Sequence, residues 1–151
     1  MDENKRKYLE LLEQKRASVE KMLTLTQETQ FTGAEDLLEQ ETESFISLYE
    51  QRQNVVERIQ KIDKALASPD YENLPDDTHE DFVAVRKQRI EQIKALAATL
   101  IELDKKNQVV SAKFTRFVKD NLKQIRKGRD VSHRYVDAHE ATSGHLFDSQ
   151  H

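Results

Sequence analysis

The chain contains no cysteine, and that removes disulfides, thiolate zinc sites and thiol nucleophiles together. Glycine and proline are almost as scarce, with three and two copies, so few places exist where a helix must stop. No stretch approaches the twenty apolar residues a membrane-spanning helix requires. The first fifteen residues are highly charged and lack the apolar centre of a secretory signal. Charge of one sign is also missing: the formal net charge is only −4, too small to argue for a nucleic-acid partner on global electrostatics. Sequence motifs for phosphate cradles, dinucleotide turns and serine nucleophile elbows are absent. The expectation is a cytoplasmic, largely helical protein that is not an enzyme, needs no cofactor or metal, and neither enters a membrane nor binds nucleic acid.

What the chain does have is helical periodicity. Charged residues make up 34% of the chain and hydrophobic ones 36%, enough for narrow seams between helices rather than a broad core. Residues 78–127 contain neither glycine nor proline, and one helix of about that length extends roughly 70 Å. The spacing predicts an all-α protein: an elongated antiparallel three-helix bundle or coiled coil, with one long C-terminal helix and a flexible or short-helical tail. Residues 1–127 form the bundle, with helices over about 3–30, 34–67 and 79–127, and residues 128–151 form the tail.

The first helix places Leu9, Leu12, Val19 and Leu23 at alternating steps of three and four around Arg16. Thr32 and Glu35 have the spacing of a capping box, which starts the second helix. That helix carries Phe45, Leu48, Arg52, Val55, Ile59, Ile62 and Leu66 in one seam. Residues 68–77, with both prolines and several acids, form the internal loop, and Thr78 with Asp81 offers a cap for the third helix. The third seam runs Ile93, Leu96, Leu100, Leu103, Asn107, Val110, Phe114 and Phe117. Arg52 and Asn107 interrupt their seams as register-setting polar residues.

Setting Leu66 opposite Phe82 brings Arg52 near Leu96 and Asn107 near Glu41 and Thr42. The turn between the first two helices then lies level with about residue 113 of the third. On this alignment Phe114, Phe117, Val118, Leu122 and Ile125 project beyond the bundle as an apolar stripe. Three occupants fit such a stripe: a client protein, a second copy of the chain, or the chain's own tail. The tail carries Val131, Tyr135, Val136, Leu146 and Phe147 among polar residues, a composition suited to folding on a partner. Six cations between Lys119 and Arg134, against two acids, complement the dipole at a helix C-terminus. His133, His139, His145 and His151 recur every sixth residue, which does not place consecutive members on one helical face for a metal.

Two segments resemble a known family. Tyr49-Glu50-Gln51-Arg52-Gln53 through Ile59-Gln60-Lys61-Ile62-Asp63 resembles the middle helix of flagellar export chaperones of the FlgN and FliT type. Asn107 with the helix after it, Gly128-Arg129, Tyr135, Ser143-Gly144 and Leu146-Phe147-Asp148 are similar to the ending of FlgN-like members. The resemblance implies a small cytosolic chaperone of the type III flagellar export system. Such a protein binds the amphipathic C-terminal helix of a hook-associated junction or cap protein, keeps it unassembled and delivers it to the export apparatus. It further implies that Tyr135 docks on the export gate, while the stripe Phe114, Phe117, Val118, Leu122 and Ile125 holds the client. The alternative reading is a structural coiled coil that pairs as a homodimer through the end of its third helix.

Overall fold

A computed structural model describes residues 2–29, 31–74 and 80–121. Among these residues the fold is all-α, with three α-helices packed against one another. Helix α1 spans Glu3–Glu28, α2 spans Leu38–Leu66 and α3 spans Glu80–Asn121. Asp2 caps α1 by accepting the Asn4 amide at 3.0 Å, satisfying one of the donors a helix start leaves open. No helix among the described residues is long and apolar enough to cross a membrane.

The chain runs up, down and up. Lys15 of α1 meets Asp63 of α2 at 2.7 Å, which makes that pair antiparallel, whereas Tyr8 stacks against Phe82 and Arg89 donates to the Leu9 carbonyl, so α1 and α3 are parallel. Each helix must therefore bury two adjacent faces, one for each neighbour. The doublets of α2 supply them: Phe45 with Ile46, Leu48 with Tyr49, and Val55 with Val56 are all buried. The seam expected for α2 is buried from Phe45 through Ile62 and partly buried at Leu66. In α1 the expected leucines and Val19 are buried, but the polar seam position is Lys15, not Arg16. Arg16 lies to the side, bonded to Glu13 and Glu20 across one helical turn.

The expected register of α2 against α3 is wrong. Phe82 does not face Leu66; it packs under Tyr8 and the Lys5 ammonium at the start of α1, and Tyr71 of the 3-10 turn Pro69–Tyr71 covers Tyr8 from outside. The loop thus carries the chain past the end of α2 before α3 begins. As a result Arg52 meets Asp104 instead of the region of Leu96, a displacement of about 12 Å along the axis. The helix boundaries shift as well: α1 stops at Glu28, and α2 opens at Leu38 behind a 3-10 turn over Glu35–Leu37. The expected cap at Thr78 and the expected stretch 122–127 of the third helix lie outside the described residues.

Two apolar clusters result. The larger joins all three helices through Leu9, Leu12, Met22, Val56, Ile59 and Leu100. The smaller gathers Phe45, Ile46, Tyr49, Phe114 and Val118 at the far end of α2 and α3. Between Leu100 and Phe114 no residue of α3 is fully buried. That interval is bridged by Arg52, fully buried, whose Nη1 and Nη2 donate to the two Asp104 oxygens at 2.8 and 2.9 Å while its guanidinium lies 4.8 Å from the Tyr49 ring. A planar guanidinium suits both contacts at once, the fork for the carboxylate and the face for the ring.

A buried ion pair of this kind costs much more to halve than to replace. Asp104→Ala is expected to lower unfolding free energy by about 3 kcal/mol, because it strands the Arg52 charge inside the protein. Adding Arg52→Met should recover most of that loss. Urea titration followed by helical circular dichroism measures both, and a single-variant cost under about 1 kcal/mol would mean the pair behaves as an ordinary surface bridge.

Candidate functional site

The end of the molecule beyond the main core differs from the rest in its number of helices. The pairs Tyr8 with Phe82 and Glu13 with Arg89 set the offset between α1 and α3, and by that offset Glu28 lies level with about residue 104. Past this level α2 and α3 continue as a pair. Their third side carries the connector between α1 and α2, described from residue 31 to 37, which turns at Gly33 and ends in the 3-10 turn Glu35–Leu37 rather than in an α-helix.

The connector turns at Gly33, whose φ of +70° is the left-handed conformation that L side chains rarely adopt. A Cβ there would also stand 3.4 Å from the Lys113 ammonium and 3.7 Å from Val110. The Thr32 and Glu35 capping box does not form. Glu41, the first full turn into α2, takes its place: its carboxylate accepts the Thr32 amide at 3.0 Å, the Thr32 hydroxyl at 2.7 Å and the Gly33 amide at 3.0 Å. The Thr32 hydroxyl in turn accepts the Ala34 amide. On the other helix Lys113 donates to the Gly33 carbonyl at 3.4 Å.

This turn presents Phe31 to the two helices. Its ring meets Phe45 at 5.3 Å and Phe114 at 5.2 Å, both edge-on, and those two rings meet each other at 5.0 Å. Edge-to-face pairs add roughly 0.5–1.5 kcal/mol each to the area they bury. Phe45 and Phe114 are sealed, at 1% and 0% exposure, whereas Phe31 itself is only partly buried.

The projecting stripe expected from the sequence is therefore corrected in two of its five members. Phe114 and Val118 are buried within the chain, covered by α2 and by Phe31, because α3 is displaced along α2 far enough for Leu38 and Phe45 to reach them. Phe117 is half-buried, on the flank of the pair. Leu122, Ile125 and Tyr135 lie outside the described residues, as do the four regularly spaced histidines and the basic residues after Lys119. Asn107 is half-buried and no longer near Glu41, which the register moves toward the connector.

Phe31, Ile46 and Tyr49 belong to this end but were not singled out by seam spacing. Ile46 and Tyr49 sit beside seam positions, so the apolar doublets of α2 were their signal. Phe31 announced itself only as a lone aromatic two residues before a glycine. No family model matches this chain, and no curated protein or solved structure matches it.

Glu41 makes the connector sensitive to acid. Partial burial pushes its carboxyl up, but the bonds from the Thr32 hydroxyl and from the Thr32 and Gly33 amides outweigh burial and hold it below the usual glutamate range. A carboxyl with a depressed folded-state pKa stabilises the fold at neutral pH, and the contribution disappears as pH falls through that depressed value. The amide resonances of Thr32 and Gly33 are expected to shift together on acidification, with a midpoint below that of an unfolded glutamate. Glu41→Gln should abolish the step.

Proposed function

We propose that this chain is a cytosolic chaperone of the type III flagellar export system, which holds the amphipathic C-terminal helix of a hook-associated junction or cap protein and delivers it to the export apparatus. The family resemblance supplies the biological setting. The observation that supports helix capture is the end at which α1 stops and α2 with α3 run on as a pair flanked by the connector. A client helix laid along this pair would complete a three-helix arrangement like the one that already stabilises the other end.

The flank around Phe117 offers the apolar contact, with Leu122 and Ile125 as its expected continuation. Each well-buried phenylalanine or leucine contributes about 1.5–3 kcal/mol before ordering costs, so a few such contacts give micromolar binding or better. Delivery then rests on Tyr135 as the contact with the export gate. Pairing of two copies through the same flank is the competing use of this surface.

Co-expression with a hook-filament junction or cap protein is expected to yield a 1:1 complex by light scattering, and Phe117→Asp should abolish it while leaving the helical content intact. Failure of the wild-type chain to bind either kind of client would sink the proposal. A tight homodimer dissolved by the same substitution would support self-association instead.

A further inference from the structure

The connector that covers the α2 and α3 pair is tied down lightly for something that closes an aromatic cluster. Among its described residues the backbone is bonded within itself from the Leu37 amide to the Ala34 carbonyl, to the start of α2 where the Glu35 carbonyl accepts the Leu38 amide, and otherwise to the Glu41 carboxylate, the Thr32 hydroxyl and, at a long 3.4 Å, the Lys113 ammonium. The Thr32 bonds to Glu41 are exposed to water. Of its large apolar side chains, Leu37 is exposed and Phe31 alone reaches the cluster. One partly buried ring is thus the outer lid of two sealed ones.

The surroundings of the lid favour a helix. Lys113 faces the connector, and Val109 and Phe117 stand one helical turn before and after it, so all three share that side of α3. Val109 is 71% exposed, the most exposed large apolar side chain among the described residues, and Phe117 is half-buried. The short connector leaves Val109 open to solvent. Between α1 and α2 an open cleft of about 520 Å³ is lined by Leu25, Glu28, Ser44 and Leu48. Thr29, which caps the end of α1, also lines this cleft.

We infer that Phe31 is a placeholder: the connector lifts, and an amphipathic helix of the exported client seats an aromatic side chain against Phe45 and Phe114, its flanks covering Val109 and Phe117. The inference rests on the export-chaperone reading for the identity of the client. Charge defines the rest of the incoming helix. The connector offers amide donors to Glu41 and a carbonyl to Lys113, so the client supplies a basic or hydroxyl side chain on the α2 edge and an acidic one on the α3 edge. Because the free chain spends most of its time closed, affinity is reduced by the fraction that is open.

The test needs no client. Titration of the full chain with anilinonaphthalene sulfonate compares wild type with Phe31→Ala, and the variant should bind the dye about tenfold more tightly with unchanged helicity, as expected when the open fraction rises. Introducing Val109→Asp and Phe117→Asp into Phe31→Ala should remove the gain. No gain in a folded Phe31→Ala protein, or a gain that survives both aspartates, overturns the inference.

Should Phe31→Ala fail to fold, hydrogen exchange of the wild type decides. The bonded amides of Thr32 and Gly33 should exchange at least about tenfold faster than that of Tyr49, through opening of the connector alone. Equal rates would show that the connector opens only with the bundle and would overturn the idea. Dye binding without capture of any junction or cap protein would retire the chaperone assignment and leave the lid standing, whereas equal client affinity in wild type and Phe31→Ala would retire the lid alone.

Discussion

The bidentate contact between Arg52 and Asp104 governs how far α3 slides along α2, and the register it sets decides what each end of the molecule is. Apolar seams are tolerant of sliding, because leucine and valine pack against many neighbours at similar energy. A fully buried guanidinium is not, since a shift of one helical turn would set it opposite Leu100 or the uncharged Asn107 and Gln108, with no carboxylate to pair it. With that contact in place, Phe82 reaches Lys5 and Tyr8 at one end, and Phe114 reaches Phe45 at the other. The Tyr49 ring under the guanidinium ties this register to the smaller cluster as well.

The same register explains why α1 and α2 do not meet in a tight hairpin. A short turn after Glu28 would start α2 level with the end of α1 and leave the far part of α3 bare. Instead the chain reverses at Gly33, makes the 3-10 turn Glu35–Leu37, and starts α2 only at Leu38. The additional length of α2 covers Phe114 and Val118, and the connector between the helices fills the remaining side. The Thr32 and Gly33 amides and the Gly33 carbonyl find side-chain partners, Glu41 and Lys113, on the two helices beneath.

Which residues were legible in the sequence follows from which physical terms are local. The α2 seam from Phe45 to Ile62, including its one buried cation, is written in spacing and was read directly, as was the all-α fold. The choice between Lys15 and Arg16 was not, because the two are adjacent and a helix of ideal pitch places either near the seam; the acid at residue 63 selects Lys15, and Glu13 with Glu20 hold Arg16 outside. Asp104 carried no signal, lying just off the seam beside Leu103. Spacing alone therefore leaves the register open, and α3 begins beyond the end of α2, beside Tyr8. That single displacement turned an expected bare stripe into a covered cluster. Its further members, Leu122 and Ile125, lie beyond the described residues.

The interval of α3 between Leu100 and Phe114 has a consequence for how the molecule tolerates change. With no fully buried side chain of its own, this stretch links the clusters through the Arg52 and Asp104 contact, continuous helix and the partial packing of Leu103 on one cluster and Val110 on the other. Substitutions on either side of it are then nearly independent in energy, as they are for sites without common neighbours. The narrow end is free to acquire new contact residues and new shapes of partner, while the broad end keeps the fold intact. Divergence in what is gripped need not be accompanied by loss of the frame that grips it.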